Sequence, residues 1–120
     1  MVNSIAFFSY TVTDMARARK FYETSLGLTV GMNFQDQWVE YEVAGQAFAI
    51  TSMDTGHQAG VKGGMVAFEV DDFDSALVRL KATQTKFVLE KYDTPVCNFA
   101  IVTDPDGNEI MIHRRKGGAA

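Results

Sequence analysis

The sequence predicts an α+β fold made of two βαβββ modules in tandem, and three observations carry that prediction. The segments YTVTDMARA and FEVDDFDSA share one pattern at one fixed offset, so that Val12, Asp14, Met15 and Ala18 match Val70, Asp72, Phe73 and Ala76. In each copy an alternating apolar run leads into an aspartate placed to cap a helix. After each helix the apolar period drops from helical spacing to strict alternation for three further runs. The expected organisation is one domain over residues 1–120, with a first module over 4–52, a linker over 53–63 and a second module over 64–114.

Taken in order, SIAFFSYTV is the first strand and Asp14 the cap of the helix that follows. Met15, Ala18 and Tyr22, with Phe21 beside them, form its buried stripe, and Gly27 is placed to end it in a left-handed conformation. LTVGMNF, QWVEYEVAG and QAFAITSM are the next three strands, with the last hairpin turning at Gly45 and Gln46. The stretch DTGHQAGVKGG, glycine-rich and poor in apolar residues, is the linker. The second copy opens with GMVAFEV. Its helix carries Phe73, Ala76, Leu77 and Leu80 at i, i+3, i+4 and i+7, and KFVLEKY, CNFAIVTD and NEIMIHR are its strands.

Bulk properties narrow the function. A lone cysteine, Cys97, forms no internal disulfide and no Cys/His cluster has zinc spacing, which points to a reducing cytoplasm. Cys97 itself reads as a small buried residue, and His57 as an exposed linker residue. No leader pattern opens the chain and no apolar run approaches the ~18 residues a membrane span needs, so a membrane partner is not expected. A formal net charge of -4 argues against nucleic acid, and the basic tail HRRKGGAA reads as a solvated end. The remaining class of partner is a small molecule.

The stretch DPDGNEIMIH invites a calcium reading, which its register rejects. If Gly107 is the sixth residue of a twelve-residue loop, Val102 falls at the first ligand position and His113 at the twelfth, so both principal carboxylates are missing. The stretch reads as turn chemistry, with Asp104 capping, Pro105 at the corner and Gly107 or Asn108 left-handed.

A duplicated βαβββ unit with VTDMARARKFYETSLGL near its start and FAIVTDPDGNEIMIH at its end resembles the vicinal-oxygen-chelate superfamily, which includes glyoxalase I, fosfomycin-resistance, bleomycin-resistance and extradiol-dioxygenase families. The resemblance implies curved mixed sheets around a cavity, helices outside, and a homodimer. It also implies a divalent metal held by side chains of the first and last strands of each module. Carried over one at a time, those positions fall on Phe7, Met65, Met111 and, in AFAIT, Ile50 or with a one-residue shift Ala49. None of these side chains binds a hard divalent cation, so no metal or other cofactor is expected.

Alternation along the strands then names the expected lining. Ser9 and Thr11 share a face with Phe7, Ala67 and Glu69 with Met65, and Glu109 and His113 with Met111. The expected ligand-binding set is Phe7, Ser9, Trp38, Ile50, Met65, Ala67, Glu69, Met111 and His113. The plain alternative is that Phe7, Ile50, Met65 and Met111 fill an ordinary core. Trp38 reads as core as readily as it reads as either a pocket wall or a subunit-interface residue taken together, and Glu40 and Glu42 read as a solvated face. No catalytic residue is assigned beyond two candidates, Glu69 and His113, which could move a proton. The expected function is metal-independent binding of a small apolar or aromatic compound, in the manner of bleomycin-resistance proteins. The alternative is a glyoxalase- or dioxygenase-type enzyme using displaced ligands such as Glu42, Glu69, Glu109 and His113, or the Glu/His pair.

Overall fold

The computed structural model of the chain describes residue 1 and residues 3–117; position 2 and positions 118–120, which close the basic tail, lie outside the described residues. The chain forms two compact units, Met1–Val61 and Lys62–Ala120. The first contains β1 (Phe7–Thr11), α1 (Met15–Lys20), a π-helical turn (Phe21–Ser25), β2 (Thr29–Phe34), β3 (Trp38–Val43) and β4 (Gln46–Thr51). The second contains β5 (Val66–Glu69), α2 (Phe73–Ala82), β6 (Lys86–Asp93), β7 (Cys97–Thr103) and β8 (Glu109–Arg115). Each unit is thus βαβββ, as the repeat in the sequence predicts.

The two sheets have the same topology. The strand order is β1-β4-β3-β2 in the first and β5-β8-β7-β6 in the second. The opening and closing strands of each unit pair in parallel and the remaining neighbours antiparallel. The parallel pairing follows from the helix between the opening strand and the rest, since a hairpin can only return antiparallel.

The repeat extends to the helix caps. Asp14 and Asp72 adopt the same extended backbone, φ/ψ -133/103 and -133/105, and each carboxylate accepts the amide hydrogen three residues on, from Arg17 and Ser75 at 3.1 Å. These bonds satisfy donors that a helix start leaves open. In the first unit the α-helix predicted to run on toward Gly27 instead widens after Lys20. Leu26 N–H reaches back five residues to the Phe21 carbonyl at 3.0 Å. The consecutive residues Phe21 and Tyr22 of this wider turn are both buried.

One face of each sheet carries the helix and the core. In the first unit Tyr22 packs on Phe48 and Tyr41, with ring centroids 5.3 and 6.1 Å apart, and Tyr10, Val12, Val39 and Ile50 complete the layer. In the second, Phe73, Leu77 and Leu80 of α2 are buried, as are Ala100, Val102, Ile110 and Ile112 of the sheet. The β3–β4 hairpin turns at Ala44 and Gly45, both with positive φ (49° and 82°), while Gln46 already pairs with Val43. Positive φ at both central residues marks a type I′ turn, whose twist matches the flanking strands, so the turn sits one residue earlier than Gly45–Gln46. In the β7–β8 connection the buried Asp104 carboxylate accepts from Asp106 N–H, Asn108 N–H and the Asn108 side-chain amide at 2.8–2.9 Å, and Gly107 is left-handed. The acidic stretch is turn chemistry, as its register implies.

Candidate functional site

The helix-free face of each sheet is fixed by register. In the first unit Ser9 pairs with Ala49, which pairs with Glu40, which pairs with Met32, and these four side chains share one face. The row beside it runs Thr11, Thr51, Trp38, Phe34, and the row on the other side Phe7, Ala47, Glu42, Thr29. Phe7 and Trp38 meet edge to face with ring centroids 5.1 Å apart. Small side chains on β4, Ala47 and Ala49, lie between the strands that carry these rings and so form a low floor beneath them. The Trp38 indole N–H donates to Glu40 Oε2 at 2.9 Å, which fixes the ring plane. Phe7, Met32 and Phe34 are each about half exposed, at 45%, 46% and 50%.

The structure therefore brings Phe7, Ser9 and Trp38 to one face but places Ile50 on the other. Ile50 is fully buried in the helix-side layer, in register with Tyr10 and Val39. The β4 residue on the face of Phe7 is Ala49, the one-residue-shifted alternative. Alternation in QAFAIT contains the reason, since Phe48 and Ile50 must share a face and Phe48 meets the helix. Glu40 and Glu42 belong to this same face, Glu40 half-buried against Trp38 and Glu42 accepting Gly45 N–H at 3.1 Å. Sequence reasoning read Glu40 as part of a solvated face and passed over Met32 and Phe34. The parity of Trp38 and Glu40 on β3 could have found the first; the bulge between Val30 and Met32 hides the other two from simple alternation.

In the second unit Ala67 pairs with Met111 and Glu69 with His113, so all four share the helix-free face, with Met65 just before β5 at the same parity. Across β8, Ile101 faces Met111 and Phe99 faces His113; Tyr92 of β6 stacks on Phe99 at 5.3 Å. Met65 is 38% and Tyr92 53% exposed. Glu69 and His113, the two candidates for proton transfer, are in contact, with Glu69 Oε1 2.5 Å from His113 Nδ1. The second Glu69 oxygen accepts Arg115 N–H at 2.7 Å, one step past the end of β5, where the carboxylate continues the ladder that the strand no longer supplies. These two donors, Arg115 N–H first and His113 second, hold the Glu69 carboxyl below its usual value. Glu109 lies further along β8, 3.5 Å from the Lys62 ammonium.

The positions at which the fold would carry metal ligands hold Phe7 and Ala49 in one unit and Met65 and Met111 in the other. Phenyl, methyl and thioether groups offer no oxygen or imidazole nitrogen to a hard divalent cation, and these residues do not fit one. Among the described residues no three His, Cys, Asp or Glu side chains come together as a cation site.

Comparison with known proteins agrees with this architecture. No protein of curated function matches the chain. Solved structures do. The antibiotic binding protein TnmS3 from Streptomyces sp. CB03234 superposes with a TM-score of 0.82 at 22% identity, over 96% of this chain and 98% of that one. The fosfomycin resistance protein FosX from Listeria monocytogenes gives 0.77 at 14% identity, over 95% and 94%. A lactoylglutathione lyase from Agrobacterium tumefaciens gives 0.75 at 19% identity, over 95% of each chain. At these identities the likeness is one of fold, and a fold is shared by many chemistries. The sequence profile of one family matches residues 4–112, and with the duplicated βαβββ topology this places the chain in the Glyoxalase/Bleomycin resistance protein/Dioxygenase superfamily.

Proposed function

We propose that this chain is a metal-independent member of the superfamily that binds a small apolar or aromatic compound on the helix-free faces of its sheets. The observation that carries the reading is the group Phe7, Trp38, Met32 and Phe34. Three of these side chains are about half exposed, on the face where chelating residues would otherwise stand. Exposed apolar side chains grouped in this way among polar neighbours mark a binding surface more often than chance exposure does. Aromatic rings offer stacking surface at low entropic cost, and methionine adapts its shape to the occupant. Because Glu40 takes the indole N–H, Trp38 presents its ring without an unsatisfied donor.

The likeness in fold to TnmS3, an antibiotic binding protein, supports a sequestering role, which needs a surface and no catalytic group. Metal independence rests on the side chains of Phe7, Ala49, Met65 and Met111. The reading extends to a homodimer in the reducing cytoplasm. Met32 and Phe34 on the edge strand β2 support the dimer, since an exposed apolar edge invites a partner. The buried free thiol of Cys97 supports the compartment.

Trp38 is the one tryptophan of the chain, so its fluorescence reports this face alone. Titration with a panel of aromatic antibiotics should give saturable quenching with at least one compound. Phe7→Ala should weaken that binding about tenfold or more, the loss of one aromatic contact of ~1–3 kcal/mol. A panel that leaves the emission unchanged would sink the reading.

A further inference from the structure

The Glu69–His113 pair is more specific than an apolar face requires. Glu69 is held ionised by two hydrogen bonds and can therefore only accept. The neutral imidazole must then carry its proton on Nδ1, 2.5 Å from Glu69 Oε1, which leaves Nε2 with its lone pair. Nε2 makes no hydrogen bond to any described residue, and the His113 side chain is mostly buried, at 22% exposure. Beside it on the same face stand Met111, Phe99 directly across the β7–β8 pair, and Tyr92 stacked on Phe99. An acceptor of fixed orientation thus sits at the edge of an aromatic platform.

We propose that His113, oriented by Glu69, is the polar anchor of the second unit's helix-free face and accepts the proton of an acidic hydroxyl on an aromatic ligand bound there, so that the preferred ligands are phenols or enols. The proposal rests on the binding reading above and names its ligand class. The ligand ring lies against Phe99 and Tyr92 and its hydroxyl meets Nε2. In the transfer the ligand O–H bond breaks, the Nε2–H bond forms, and the electron pair stays on the ligand oxygen. The products are an oxyanion and an imidazolium, the latter balanced by the Glu69 carboxylate through Nδ1–H. On release the proton returns to the ligand or to solvent.

The groups that face His113 are compatible with this. Glu69 faces it from β5, Arg115 and Glu109 flank it along β8, and Arg114 Nη1 lies 3.9 Å from Glu69 Oε2. From β7 come the Phe99 ring and the Cys97 thiol, which is tied to Thr94, and beyond Phe99 the Tyr92 phenol. Among the described residues, Glu69 is the carboxylate hydrogen-bonded to the imidazole. Glu69 acts through His113 and is a positioning residue.

The probes are 4-nitrophenol, whose anion absorbs visible light, and 4-nitroanisole, its methyl ether, which has no proton to give. With the intact protein, bound 4-nitrophenol should ionise at a pH about one unit below that of the free compound, measured between pH 5 and 8. The ratio of phenol to anisole affinity should fall about tenfold in His113→Gln, and the ionisation of the bound phenol should return to its free value. Glu69→Gln keeps an acceptor for Arg115 N–H and so keeps the strand end, and should give part of the same loss. Thermal melts identify a variant that fails to fold, and the other variant then decides. Identical phenol ionisation in wild type and variants overturns the assignment and leaves the binding reading intact. Binding of neither probe by the intact protein overturns the assignment together with the binding reading.

Discussion

Glu23 illustrates what one residue does that its place in the sequence does not reveal. It stands in the π-helical turn, where its carboxylate takes Arg19 Nε at 2.7 Å and the hydroxyl of the fully buried Tyr41 at 2.9 Å. Arg19 also reaches Asp36 at 2.9 Å, so one guanidinium joins the helix to the β2–β3 turn. Burial, and next the Glu23 carboxylate, push the Tyr41 phenol well above its usual value; the Arg19 hydrogen bond is the largest of the effects that lower Glu23. Because the folded value of Glu23 lies below its ordinary 4.5, its contribution to stability is complete above that pH and is lost as pH falls through the lowered folded value. Urea unfolding across that acid range should therefore show wild-type stability declining, and Glu23→Gln should decline less steeply while starting from a lower plateau. The i,i+4 spacing of Arg19 and Glu23 is legible in the sequence, but the Tyr41 and Asp36 partners are not, since they meet this pair only through tertiary packing. The pairing of Glu69 and His113, by contrast, could be read from alternation on two strands once both were placed in the fold.

At the scale of elements, the duplicated strand–aspartate–helix signal was legible down to the cap, because a short carboxylate before an apolar helical stripe has one efficient use. The hairpin after β3 was misplaced by one residue because Ala44 gives no sign of a left-handed conformation, which costs a residue with Cβ roughly 1–2 kcal/mol. Asparagine tolerates that conformation and precedes Gly45 as the favoured type I′ pair. Ala44→Asn should accordingly raise stability by about 0.5–1 kcal/mol, read as a higher denaturant midpoint at unchanged slope. A lower midpoint would mean that the turn is not of this type. Ile50 is the instructive error among the site residues. Its place was counted from a motif, with no turn to anchor the register, whereas the alternation of Phe48 and Ile50 against Ala47 and Ala49 already assigned it to the core side.

For the molecule as a whole, each unit offers an aromatic and sulfur-bearing sheet face at the positions that the family resemblance assigns to chelating side chains. The family resemblance implied that contrast, because the positions it assigns to histidine or glutamate hold phenylalanine, isoleucine or alanine, and methionine. The bulges in β2 and β6 and the indole–carboxylate bond between Trp38 and Glu40 were not readable, since each depends on how neighbouring strands meet. Whether binding needs a metal is decided by isothermal titration calorimetry of one aromatic ligand found by the Trp38 screen, first with chelator-treated protein and then with added Mn, Ni or Zn ions. For metal-independent binding the same Kd, within about twofold, is expected under every condition. Binding that vanishes with chelator and returns tenfold or more stronger with a stoichiometric divalent ion would contradict it.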